Sequence, residues 1–74
     1  MYKETVLLNQ VKIKKPRKLP SYYDKLKEDI KEYGIVNTIT VNRNYEIIDG
    51  RLRYLIAKEL GYKDIEVIIY ENRK

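Results

Sequence analysis

The 74-residue sequence contains no cysteine and no histidine. The lack of cysteine excludes disulfides, thiolate metal sites and cysteine nucleophiles, and the lack of histidine removes the commonest general base and metal ligand. Catalysis would therefore have to use carboxylates, lysine, tyrosine, hydroxyl groups or a bound metal ion. No apolar run approaches the ~18 residues of a membrane-spanning helix, and no signal peptide is visible. We therefore expect a cytoplasmic protein without a membrane partner.

Positive charge is in excess, with 16 lysines and arginines against 11 acidic residues and a formal net charge of +5. Such a balance favours DNA or a nucleotide as the partner, although a partner protein is also compatible with it. Five cations without an intervening acid form what we call the basic run: Lys12, Lys14, Lys15, Arg17 and Lys18. We predict that the basic run contacts a nucleic acid backbone or the ligand of a neighbouring anion site. The alternative is a solvated strand end and loop.

Apolar periodicity and turn residues predict six elements in the order β-α-β-β-α-β. The predicted elements are a strand over 5–13, a helix from Ser21 to Gly34, strands over 37–42 and 45–48, a helix over 50–60 that ends at Gly61, and a strand over 65–70. Ser21 and Asp24 resemble a capping box at the start of the first helix. The residues predicted to form one core are Leu8, Val11, Ile13, Leu26, Ile30, Ile39, Val41, Ile47, Leu52, Leu55, Ile56, Leu60, Val67 and Ile69.

The segment around Gly50 predicts an anion site. A strand turns there through a glycine into a helix that carries Arg51 and Arg53 in its first turn. Free backbone N–H groups and the positive end of the helix dipole meet at such a turn, and guanidinium groups match phosphate geometry. The alternative is that Gly50 only makes the turn and both arginines lie in water. Asp49 is interpreted as the helix cap rather than as a metal ligand.

Tyrosine is abundant, with eight residues in the chain. We expect Tyr23, Tyr33 and Tyr54 to pack with their hydroxyl groups at the rim of the core. Tyr22 and Tyr45 are candidates for stacking on a nucleic acid base.

An ordered set of segments resembles the ParB N-terminal/sulfiredoxin-like family over nearly the whole chain. The segments are Lys15-Pro16-Arg17, Leu26 with Ile30–Gly34, Ile39–Val41, Tyr45–Gly50, Arg53-Tyr54, Ala57–Tyr62 and Ile65–Ile68. The resemblance implies a small α/β (α+β) fold with two helices on a mostly mixed sheet. It also implies a single domain over residues 1–74, in which we expect no helix-turn-helix and no dimerisation region.

The resemblance further implies that Gly50, Arg51, Arg53 and Arg17 bind phosphate. In ParB partition proteins the corresponding loop is part of a site that binds and slowly hydrolyses CTP, and in sulfiredoxins it binds ATP phosphates beside a reactive cysteine. The implied cofactor is a nucleoside triphosphate with Mg²⁺. Arg51 stands at the sulfiredoxin cysteine position, so sulfinic-acid reduction is excluded. Arg51 also replaces the acidic residue usual in ParB, and Leu52 replaces an arginine.

Three functional interpretations remain. The first is a module that binds nucleotide or nucleic acid phosphate, in plasmid or viral DNA maintenance or regulation. The second is a minimal metal-dependent NTPase or nuclease, for which only Asp49 and Asp29 are suitably placed. The third is a protein-interaction module whose nucleotide site has decayed.

Overall fold

A computed structural model describes residues 1–14, 16–36 and 38–71. The predicted order of six elements is confirmed. The elements are β1 (Tyr2–Leu7), α1 (Tyr23–Tyr33), β2 (Ile39–Val41), β3 (Ile47–Asp49), α2 (Arg51–Glu59) and β4 (Asp64–Ile69). The prediction begins the second strand at residue 37, which lies outside the described residues. Neither helix in the described ranges is long and apolar enough to cross a membrane.

The four strands form one mixed sheet in the order β1-β4-β2-β3. β1 and β4 are antiparallel, β4 and β2 are parallel, and β2 and β3 are antiparallel. Alternate residues of a strand point to the same face. Ile65, Val67 and Ile69 of β4 therefore share a buried face with Ile39 and Val41 of β2.

Helix α2 lies between the sheet and α1. Tyr54 and Ala57 pack into the cluster formed by the sheet, whereas Ile56 packs with Tyr23 and Ile30 of α1. The predicted single core is therefore wrong, because α2 separates the apolar residues into two clusters. Six of the predicted core residues are only half-buried and pack at the edges of these clusters: Ile13, Leu26, Ile47, Leu52, Leu55 and Leu60. The prediction omitted Val6, Ile65, Tyr54 and Ala57, all of which are buried.

The predicted first strand over 5–13 is too long. β1 ends at Leu7, and residues Leu8–Gln10 form a 3-10 turn. The side chain of Gln10 stabilises this turn by accepting a hydrogen bond from the Leu7 N–H at 2.8 Å. Leu8 and Val11 are both buried although they are three residues apart, a spacing that a strand cannot provide.

After this turn the chain crosses from one edge of the sheet to the other. The Lys12 N–H donates to the Tyr45 carbonyl at 2.8 Å, and the Lys12 carbonyl accepts from the Ile47 N–H at 3.0 Å. β1 and β3 are the two edge strands, so the crossing delivers Lys12 to the β3 edge. Lys12 and Lys14 there line a cleft together with Arg51, the first residue of α2.

Both predicted helix caps are wrong. The N-cap of α1 is Tyr22 rather than Ser21, and the N-cap of α2 is Gly50 rather than Asp49. No side chain of the described residues caps either helix. The end of α1 at Gly34 is confirmed, with a φ of 78°. Tyr33, predicted to pack, is 71% exposed.

Candidate phosphate-binding site

The turn between β3 and α2 requires glycine for two reasons. Gly50 has a φ of 99° and a ψ of 28°, the left-handed conformation that side-chain-bearing residues rarely adopt. A Cβ atom at Gly50 would also lie 3.0 Å from Cγ1 and 3.3 Å from Cα of Ile39. Ile39 is fully buried in β2 and cannot move away. The turn is therefore held against the middle of the sheet.

The first turn of α2 presents its backbone N–H groups outward. The first hydrogen bond within the helix runs from the Tyr54 N–H to the Gly50 carbonyl at 3.0 Å. The N–H groups of the three preceding residues, 51 to 53, have no acceptor within the helix. No described side chain caps them. Together with the helix dipole, they make the entrance of α2 electropositive.

A cleft of about 420 Å³ opens in front of this turn. Part of its lining is polar and consists of Asp49, Gly50, Arg51 and Arg53, and the rest is an apolar part that we call the apolar wall. The apolar wall consists of Tyr22, Leu26, Ile48 and Leu52. The cleft therefore suits a ligand with a charged part and a flat or apolar part.

The two arginines of this turn have different surroundings. Arg53 is half-buried and also borders a second cleft, which contains Asp29 and Tyr33 of α1. Arg51 is exposed and also borders two clefts lined by lysines, which Arg53 does not line. Within the described part of the chain, neither arginine forms an ion pair with a carboxylate. Both guanidinium groups are therefore available to a ligand.

The structure brings most of the basic run to Arg51. Lys12 and Lys14 line one cleft with Arg51, and Lys18 lines another with it. Arg17 is exposed and is not among the residues that line either of these clefts. Lys15, also predicted to bind nucleic acid, lies outside the described residues. Cations from a loop and from a helix thus converge on one side of the α2 entrance.

The two candidate catalytic carboxylates line different clefts. Asp49 lies in the cleft in front of Gly50, whereas Asp29 lies in the second cleft, and Arg53 borders both. Among the described residues, no group of three or more carboxylate, histidine or cysteine side chains could hold a metal ion. A magnesium ion commonly uses one or two carboxylates together with ligand phosphates, and Asp49 is the residue in the cleft that fits this role.

Hydrogen bonds separate the tyrosines into structural and exposed groups. The Tyr54 hydroxyl donates to the Leu8 carbonyl at 2.9 Å, and its burial raises its pKa. The Tyr45 hydroxyl donates to Glu4 Oε1 at 2.7 Å, and this hydrogen bond raises the pKa of Tyr45. Tyr22, in contrast, is 58% exposed and lines the cleft.

Apart from Tyr22, the residues of the apolar wall could not be recognised from sequence patterns as part of a cleft. Ile48 reads as an ordinary strand residue, yet it is 50% exposed and faces the ligand space. Leu26 belongs to the apolar stripe of α1 and is half-buried between the two helices and the cleft. Packing of α1 against α2 brings Leu26 to the cleft, whereas Ile48 reaches it from β3, directly before the Gly50 turn.

No protein-family model matches the sequence. An uncharacterized protein, ORF326b, of Acidianus two-tailed virus is 45% identical over 47 residues, which are 64% of this chain and 14% of the viral protein. The chain therefore spans only a small part of that relative.

Solved structures share the fold. Two crystal structures of pNOB8-like ParB N-domains superpose with TM-scores of 0.84 and 0.81, each with 24% identity over 97% of this chain. The C-terminally truncated chromosome-partitioning protein ParB of Caulobacter crescentus, complexed with CTP-gamma-S, superposes with a TM-score of 0.80 and 18% identity over the whole chain. This chain spans 30%, 28% and 47% of those three chains. It has the fold of a ParB N-terminal domain, as the resemblance implied.

Proposed function

We propose that the chain is a nucleotide-binding module that holds phosphate groups at Gly50, Arg51 and Arg53. The observation that carries the proposal is the uncapped first turn of α2, which faces a cleft bordered by two arginines without ion-pair partners among the described residues. The CTP-gamma-S complex of the Caulobacter ParB, which has the same fold, supports it.

Each residue of the turn has a separate task in this proposal. Gly50 lets a phosphate approach the backbone, and the N–H groups that follow donate to its oxygens. Arg53 donates from a half-buried position to the same phosphate, and a guanidinium group can do so through two parallel hydrogen bonds. Arg51 adds charge from the exposed side. A bound Mg²⁺ would neutralise phosphate charge, with Asp49 as the carboxylate available to it.

Nucleotide binding is tested by thermal unfolding with ATP, CTP, GTP and ADP, each with and without Mg²⁺. A nucleotide at 100 times its dissociation constant stabilises the folded state by ~2.7 kcal/mol. For a domain of this size, that is roughly 10–20 °C in melting temperature. A melting temperature that no nucleotide changes would contradict the proposal and favour the protein-interaction module.

We propose nucleic acid backbone binding as a second function, in DNA maintenance or regulation. The observation that favours it is the convergence of Lys12, Lys14 and Lys18 around Arg51. Backbone binding should weaken steeply with salt and depend little on base sequence.

Backbone binding is tested by fluorescence anisotropy with a labelled DNA duplex, at salt concentrations of about 50 and about 200 mM. Replacing Lys12 and Lys14 by alanine should weaken binding and reduce the salt dependence. Lys31→Ala, which removes an exposed lysine from the last turn of α1, is the matched control. An affinity for DNA that is the same at both salt concentrations would contradict this function.

A further inference from the structure

The cleft in front of Gly50 offers more than phosphate binding requires. Its charged wall can hold the phosphates, but its other wall exposes Tyr22 and Ile48, which are 58% and 50% exposed. Burial of a large apolar side chain stabilises a protein, so the exposure of Tyr22 and Ile48 in the same cleft as an electropositive helix end is informative. An inorganic phosphate would leave this apolar wall uncovered.

Tyr22 and Tyr45 were both candidates for stacking on a base. Of the two, only Tyr22 has a ring that is free to stack. Tyr45 is half-buried, packs against the sheet cluster and donates its hydroxyl hydrogen to Glu4. Tyr22 lines the main cleft together with Leu26, and it also lines the neighbouring cleft that contains Lys18. Within the described residues, no hydrogen bond or ion pair holds the side chain of Tyr22.

The backbone of Tyr22 is nevertheless held in place. Its carbonyl accepts a hydrogen bond from the Leu26 N–H at 3.0 Å. The next residue, Tyr23, is buried and donates its hydroxyl hydrogen to Glu59 Oε1 at 2.8 Å, which ties the start of α1 to the end of α2. The Tyr22 ring thus projects from a fixed support and needs little ordering when a flat group covers it.

We propose that Tyr22 stacks on the base of the bound nucleotide and makes the site prefer nucleoside triphosphates to inorganic polyphosphate. This inference rests on the proposed nucleotide function. Stacking between a base and an aromatic ring tolerates every base, because each base has a π-face. The preference should therefore extend to both ATP and CTP.

The affinity test compares CTP, ATP and inorganic tripolyphosphate by titration calorimetry at one Mg²⁺ concentration. A nucleoside triphosphate should bind the unchanged chain roughly 5- to 140-fold more tightly than tripolyphosphate does, which is the value of one stacked base. Tyr22→Ala should lose this preference and keep the affinity for tripolyphosphate, while Tyr22→Phe should retain both. Tyr62→Ala, at the opposite end of α2, is the control and should change neither.

A spectroscopic test uses the absence of tryptophan from the chain. In the variant Tyr22→Trp, the single indole should be quenched by CTP or ATP but not by tripolyphosphate. In Tyr62→Trp neither ligand should change the fluorescence. Equal quenching of both variants, or a nucleotide preference that survives in Tyr22→Ala, would overturn the stacking proposal while leaving nucleotide binding intact. Failure of all three ligands to bind the unchanged chain would instead overturn the nucleotide function itself.

Discussion

The first turn of α2 and the two turns that follow it have opposite surroundings. In the first turn Arg51 is exposed and Arg53 is half-buried, and the backbone N–H groups point outward. In the next turns Tyr54 is 4% exposed, and Ile56 and Ala57 are fully buried. The N-terminal end of α2 is therefore an extension of a segment held by the sheet on one side and by α1 on the other. Ligand contacts can change there without changing the fold.

The largest expected effect is in the buried turns. Ile56→Ala should lower the free energy of unfolding by about 2–5 kcal/mol, because it leaves a cavity between α2 and α1. Leu55→Ala should cost less, since Leu55 is only half-buried. Thermal unfolding of both variants measures this difference. Two unchanged melting temperatures would show that the later turns are not the structural part of the helix.

Arg53→Ala should have the next largest effect. It should weaken ligand binding and leave the stability of the fold unchanged. Loss of a charge-assisted hydrogen bond to phosphate should weaken nucleotide binding by roughly 1.5–3 kcal/mol. The melting temperature without ligand should change little, because Arg53 lies outside both apolar clusters. Calorimetric titration with CTP and ATP measures the loss. If wild type and variant bound nucleotide equally, the phosphate site would be wrongly placed.

Arg51→Ala should weaken binding less than Arg53→Ala does. Arg51 is exposed, so its attraction for phosphate acts largely through solvent and is screened by salt. The difference between wild type and this variant should therefore shrink when the titration is repeated at high salt. An Arg51→Ala loss that is larger than the Arg53→Ala loss at both salt concentrations would reverse the order of the two arginines.

The smallest expected effect concerns the far end of α2 and is seen in the pH dependence of stability. Burial and the hydrogen bond to Glu59 raise the pKa of Tyr23 to about 12 from its ordinary value of 10.0. The unfolded chain therefore releases this proton first, and the Tyr23 contribution to stability is present below pH 10 and lost as the pH rises toward 12.

The variant Tyr23→Phe isolates this contribution. Its free energy of unfolding should fall less between these pH values than that of the wild type, although the loss of lysine charge will lower both. Urea unfolding at several pH values measures the two curves. Parallel curves would mean that the hydroxyl of Tyr23 is not held by Glu59.

Local patterns predicted the parts of the fold that depend on neighbouring residues. The apolar stripe of α1, the glycine at its end and the turn at Gly50 are all encoded within a few positions, and the structure has them. The turn at Leu8–Gln10 was missed, because Leu7 and Leu8 continue an apolar run and only the Gln10 side chain closes the turn. The predicted caps failed because Ser and Asp are good caps on average, whereas here the backbone enters each helix without them.

Long-range contacts explain what was missed around the site. Tyr54 packs as expected, but its hydroxyl is buried rather than at the rim, and it donates to the Leu8 carbonyl in a distant part of the chain. Leu26 reaches the cleft only because α1 packs on α2, so its place in the apolar stripe of α1 carried no local sign of that position. Gly50 and the two arginines could be proposed as a phosphate site from the sequence, because their own residue types carry phosphate chemistry.

The position of β4 also determines when the domain can fold. This strand comes last in the chain but lies in the middle of the sheet, between β1 and β2. Before β4 has been synthesised, β1 has no partner strand among the described residues, and β2 has only the short antiparallel strand β3. Pairing of Tyr2 with Ile69 closes nearly the whole chain into a loop, and such non-local pairing slows folding. During translation the Gly50 turn therefore leaves the ribosome well before β4, and the sheet behind that turn is complete only once β4 has paired with β2.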